Sequence, residues 1–115
     1  MPSIMLAEDD TTMLSLLKSL LKMEGYTVIA LNPDAEIVDA VLKHDPDILM
    51  MDVHLLNVNG LDVLRKLRAT PGGTKVRVVM ASGLDFKQEC LALGANAFIQ
   101  KPFMPEDLYK ALRGN

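Results

Sequence analysis

A doubly wound α/β fold, with five parallel strands and five helices, is what this sequence predicts, and three observations predict it. Short continuous apolar blocks recur along the 115 residues, among them Ile4-Met5-Leu6-Ala7, Ile48-Leu49-Met50-Met51 and Val76 to Ala81. Blocks of this kind suit strands buried on both faces. Between them, apolar positions fall at helical spacing. The two signals alternate to the end of the chain, and parallel neighbours need crossovers that then cover the sheet.

Ser3 to Ala7 reads as the first strand. Met13, Leu16, Leu17, Leu20 and Leu21 form one helical stripe, with Lys18, Lys22 and Glu24 off it and Gly25 as the stop. Thr27 to Leu31 is a second strand. After Asn32-Pro33, the spacing of Ile37, Val38, Val41 and Leu42 predicts a helix ending near His44, a residue that suits the negative end of the helix dipole. Asp47 to Asp52 is the third strand. Asn59-Gly60 would signal a hairpin, but Leu61, Leu64 and Leu67 follow at helical spacing with basic residues between, so a helix is expected instead. A Pro71-Gly72-Gly73 loop leads to a fourth strand over Val76 to Ala81. A short helix over Phe86 to Leu93 stops at Gly94, Ala97 to Ile99 make a fifth strand, and Pro105-Glu106-Asp107 opens a last helix. The compact arrangement of such a chain is the flavodoxin-like sheet order 2-1-3-4-5. Ligands of such folds bind at the carboxyl ends of the strands where the winding reverses, between strands one and three.

Composition narrows the function. The length suits a single domain over residues 1–115, since domains commonly run to about 100–150 residues. No apolar block approaches the roughly 20 residues that span a bilayer, and the start lacks a secretory signal, so a cytoplasmic protein with no membrane partner is expected. A net charge of −3, with both signs interspersed, offers no basic stripe for nucleic acid. The lone Cys90 and the eight methionines read as packing residues.

The switch point carries the chemistry. Glu8-Asp9-Asp10 follow the first strand and Asp52 ends the third, so carboxylates should converge there. Asp10 reads as the cap of the first helix. Glu8, Asp9 and Asp52 instead suit a hard divalent cation, Mg2+ first, with Mn2+ or Ca2+ as alternatives. Ser82 and Lys101 stand at the ends of strands four and five. A hydroxyl, an ammonium and a cation around a carboxylate meet the electrostatic needs of a transferring phosphoryl group. Asp52 is placed as the nucleophile.

With these residues the chain resembles, over essentially its whole length, the receiver domains of response regulators in two-component systems, chemotaxis regulators included. The matching residues are Glu8-Asp9, Asp52, Asn59-Gly60, Ser82, Phe98 and Lys101-Pro102-Phe103. The resemblance implies that Asp52 accepts a phosphoryl group from a sensor histidine kinase or a histidine phosphotransfer protein. It further implies that Mg2+, or Mn2+, is held by Glu8 or Asp9, Asp52 and the backbone carbonyl of His54. Lys101 would pair with the phosphoryl group, Ser82 would move to hydrogen-bond it, and Phe98 would turn inward behind Ser82. The face made by helix four, strand five and helix five would then signal to a downstream output domain or protein, with phosphorylation-dependent homodimerisation as one form of response. Such a domain catalyses its own phosphorylation and dephosphorylation and is otherwise a switch rather than an enzyme. The Lys101-Pro102 bond is expected to be cis.

Departures from the family pattern carry their own expectations. Leu56 stands where a proline is usual, and His54 borders the site. The stretch from Ser82 to Gly94 is about three residues short, roughly one helical turn, so the fourth helix should be stunted. Met104 replaces a capping residue before Pro105. Leu84, two past Ser82, is expected to shield a phosphorylated Asp52 from water. Two rivals remain: a degenerate receiver acting as a phosphorylation-independent binding module, and a phosphohydrolase of the haloacid-dehalogenase type. The latter carries a second Asp two past its nucleophile, where this chain has His54.

Overall fold

The computed structural model describes residues 2–32 and 34–114; Met1, Asn115 and Pro33 of the predicted Asn32-Pro33 break lie outside them. Ten elements alternate in chain order: β1 (Ser3–Ala7), α1 (Thr11–Met23), β2 (Thr27–Ala30), α2 (Ile37–His44), β3 (Ile48–Asp52), α3 (Gly60–Ala69), β4 (Arg77–Ser82), α4 (Lys87–Ala92), β5 (Ala97–Gln100) and α5 (Pro105–Arg113). All strand pairs are parallel and the sheet order is β2-β1-β3-β4-β5, as predicted.

Alternation within the strands builds a core on each face of the sheet. Met5, Leu49, Met51, Val78 and Met80 face α2, α3 and α4, where Val38, Val41, Leu64, Leu67 and Cys90 meet them. Ile4, Leu6, Ile48, Met50 and Val79 face α1 and α5 through Leu17, Leu21, Leu108 and Leu112. Two sequence expectations need correction. Leu16 and Leu42, assigned to buried helix stripes, are exposed, because the sheet is met by a narrower arc of each helix. Met5, Met50, Met51 and Met80 are core residues, but Met23 and Met104 lie on the surface at element ends, where no second layer covers them. Among the described residues, no helix is long and apolar enough to cross a membrane.

Local signals set the ends of the elements. Asp10 caps α1, its carboxylate accepting the Met13 N–H at 3.0 Å. Gly25, at φ +91°, closes that helix with the Tyr26 N–H donating back to the Leu21 carbonyl. Asn59-Gly60 starts α3, Asn59 accepting the Leu61 N–H at 2.8 Å. A single antiparallel bridge between His54 and Asn59 is what remains of the hairpin signal. The predicted stunting of α4 is present: it has six residues and no side-chain cap. Met104 likewise provides no cap from its side chain, although the Asp107 carboxylate accepts the Met104 N–H at 3.2 Å. Cys90 is fully buried, and burial, reinforced by Glu89, pushes its thiol up to about 11. It packs and stays protonated.

At the amino-terminal end of the sheet, Arg68 ties three segments together. Its guanidinium donates to the Gly94 carbonyl at 2.9 Å, the Gly73 carbonyl at 2.9 Å and the Asn96 side-chain oxygen at 3.0 Å. Arg77 does similar work for α5, donating twice to the Ala111 carbonyl at 3.1 and 2.8 Å.

Candidate functional site

Register places the predicted residues at the opposite, carboxyl-terminal end. Ala7 pairs with Met51, so Glu8 comes level with Asp52; Ser82 pairs with Gln100, so Lys101 follows beside it. The Lys101 N–H donates to the Ser82 carbonyl at 2.8 Å, and the Lys101-Pro102 bond is cis. From this position the Lys101 ammonium reaches Asp52 Oδ2 at 2.6 Å and the two Glu8 carboxylate oxygens at 3.2 and 3.3 Å. The three side chains are largely withdrawn from water, with 21% of Lys101, 13% of Asp52 and 7% of Glu8 exposed. Asp52 Oδ1 meets only a long contact, from the His54 N–H at 3.4 Å. A cleft of about 470 Å³ opens over this group, lined by Glu8, Asp9, Asp10, Asp52, His54, Leu55, Leu56 and Lys101.

The electrostatics are those of an under-neutralised site. Burial raises the Glu8 carboxyl above its ordinary range; Lys101 opposes this and the Asp52 charge adds to it. Burial lowers the Lys101 ammonium, but its bonds and charges to Asp52 and Glu8 outweigh that and leave it raised. Glu8 is held more tightly by its proton in the folded chain than in the unfolded one. The stability linked to it is therefore full below the ordinary glutamate range and is lost as pH rises through the raised value. A Glu8→Gln chain, which cannot ionise there, is expected to melt a few degrees higher than wild type at pH 7. In thermal denaturation followed by circular dichroism, that gap should close as the pH approaches 4.

Glu8, Asp9, Asp10 and Asp52 against the one ammonium of Lys101 leave the cleft lining with a formal excess of three negative charges. All their donors are oxygens, so the set fits a hard divalent cation. The carboxylates are nonetheless dispersed: Glu8 turns to Lys101, Asp10 caps α1, and Asp9 Oδ2 accepts the Leu56 N–H. Among the described residues no three His, Cys, Asp or Glu side chains form a ready-made metal cage.

The remaining predicted residues surround this group at greater remove. Ser82 is fully buried, and its hydroxyl accepts the Leu84 N–H at 3.1 Å. Leu84 itself is 62% exposed and is not among the residues that line the cleft. Phe98 is half-buried against the core layer of α2, α3 and α4 and lines a surface groove with Lys87, Leu91 and Phe103. The exposed His54 ring lies edge-on to Phe86, with centroids 5.3 Å apart. Two contacts escaped the sequence reading, that between His54 and Phe86 and that between Asp9 and Leu56. The second had a signal in Leu56 itself, since a residue in place of proline supplies an N–H.

The family model for the response regulator receiver domain matches residues 4–113. This chain belongs to that family. As a receiver it is 38% identical, over 114 residues, to the transcriptional regulatory protein CpxR of Klebsiella pneumoniae, an alignment covering 98% of this chain and 48% of that protein. The chain spans about half the length of the curated relatives it matches. A solved receiver domain of a sensor histidine kinase from Pseudomonas aeruginosa, with magnesium coordinated in its active-site cleft, superposes with a TM-score of 0.86 at 26% identity, covering 98% of this chain and 95% of that one. A CheY-like response regulator receiver domain protein from Methanospirillum hungatei gives 0.83 at 28% identity, covering 99% and 92%. Receiver domains are the signalling switches of two-component systems, and the fold and sheet order described above are those of one.

Proposed function

We propose that this receiver, acting as one cytoplasmic domain over residues 1–115, accepts a phosphoryl group on Asp52 from a sensor histidine kinase or a histidine phosphotransfer protein. The observation that supports this reading most is the Lys101 ammonium at 2.6 Å from Asp52 Oδ2. It neutralises one oxygen and leaves Oδ1 as the nucleophile facing the cleft. Oδ1 forms the bond to phosphorus while the bond from phosphorus to the donor imidazole nitrogen breaks, its electron pair staying on that nitrogen. Lys101 follows the incoming charge away from Glu8, and the Ser82 hydroxyl, rotated from Leu84, donates to a phosphoryl oxygen. Glu8, Asp9, Asp52 and the His54 backbone carbonyl would hold Mg2+, or Mn2+ in its place, which would supply charge neutralisation there. The Pseudomonas receiver with magnesium in its cleft supports that choice of ion.

Movement of Ser82 toward the phosphoryl group leaves room behind it for Phe98, which would carry the change to the face of α4, β5 and α5 and so to an output domain or protein. The test is intact mass after incubation with acetyl phosphate. A gain of one phosphoryl group is expected in Mg2+ and none in EDTA. The six-residue α4 favours one rival, a binding module that works without phosphorylation. A folded chain that stays unmodified in Mg2+, with acetyl phosphate and with a histidine phosphodonor alike, would establish that rival.

A further inference from the structure

The loop between β3 and α3 is held by few bonds, and one of them engages a carboxylate of the proposed cation site. The His54–Asn59 bridge and a Leu55 N–H donated to the Val58 carbonyl at 3.2 Å close the loop on itself. The Leu56 N–H donates to Oδ2 of Asp9, in the loop that follows β1. Leu55 and Val58 also line a cavity of about 90 Å³ with Glu8, Asp9, Leu31 and Ile37, so the loop and the two acids border this space as well as the cleft. Held toward Leu56, Asp9 does not stand with Glu8 and Asp52 as a cage, even though the cleft carries excess negative charge.

We propose that the Leu56 amide competes internally with the divalent cation for Asp9, so that cation binding and loosening of the 54–59 loop are a single event. This rests on the cation reading above. An N–H donated to a charged carboxylate is among the stronger hydrogen bonds, and a cation that takes Asp9 Oδ2 beside Glu8 and Asp52 displaces it. The cation therefore binds more weakly than its charge alone would dictate, and its arrival frees the loop that also carries the His54 carbonyl.

The experiment is Mg2+ titration by calorimetry of wild type, Leu56→Pro and Leu56→Ala. Proline removes the N–H, and about tenfold tighter Mg2+ binding is expected, which corresponds to a charged hydrogen bond no longer lost. Alanine keeps the N–H and should bind as wild type does. An independent readout needs no variant: in hydrogen exchange followed by NMR, the Leu56 amide of wild type should be protected without Mg2+ and lose that protection at saturation. Equal affinity in all three chains with Leu56 protection unchanged, or weaker binding by Leu56→Pro, overturns the competition and leaves the cation site standing. The last result would mean that the amide orients Asp9 for the ion. Absence of Mg2+ binding in all three overturns the cation reading and this proposal together.

Discussion

A chain carrying Asp52→Asn is expected to gain no phosphoryl group from acetyl phosphate in Mg2+, a loss beyond about a thousandfold of the kind seen when a nucleophile is removed. The amide that replaces the carboxylate is neutral and a poor nucleophile, and it no longer draws the Lys101 ammonium with a full charge. Folding should survive the change. Asp52 is one of the charges that raise Glu8, so its removal relieves repulsion while Lys101 keeps Glu8 as partner. Intact mass and a melting curve on the same sample separate the two effects. A phosphoryl gain retained by the variant would move the acceptor elsewhere in the chain.

Gly60→Ala should be strongly damaging for the addition of a single methyl group. A Cβ at that position would stand 2.3 Å from the Asp52 carbonyl oxygen, 2.9 Å from Val53 Cα and 3.0 Å from the Val53 oxygen. All three are backbone atoms, so no side chain can rotate out of the way. The Gly60 N–H also donates to the Val53 carbonyl at 2.7 Å, which fixes α3 against the end of β3. Relief requires moving either the first turn of α3 or the strand end that carries Asp52. The expected cost is about 3 kcal/mol, at the upper end for overpacking, and a fall in melting temperature on the order of 10 °C. Phosphorylation of whatever remains folded should slow as well, since Asp52 shifts relative to Lys101. An unchanged melting curve would show that the approach of α3 to β3 is less tight than these distances imply.

The predicted elements match the fold closely because the two periodicities are clean. The runs from Ile4 to Ala7 and from Ile48 to Met51 are apolar at every position, which only a strand covered on both faces tolerates. Helix edges were less legible. Leu16 and Leu42 are apolar at core-like spacing yet exposed, because how wide an arc of a helix is covered depends on partners far away in sequence. The site divides the same way. Glu8 and Asp52 could be placed because strand ends converge at a topological switch point, and Ser82 and Lys101 because they end the next two strands along the same edge. Which oxygen meets which donor could not be read. The choice of Lys101 by Glu8 and of the Leu56 amide by Asp9 depends on loop conformations of a few residues, where no periodicity operates.

The Arg68 clamp divides the molecule into two poles with different sensitivities. At the amino-terminal pole one permanently charged guanidinium is satisfied by two carbonyls and an amide oxygen, groups that do not titrate near neutrality. At the carboxyl-terminal pole, Lys101, Glu8 and Asp52 are held by charge, and under the proposed function that balance would also shift with a bound cation and an added phosphoryl group. Of these two sets of bonds, the one around Lys101 is the one that protons reach. The clamp lies at the pole opposite Asp52, so a rearrangement begun at that residue under the proposed phosphorylation would start among the loops and short helices of the carboxyl-terminal edge.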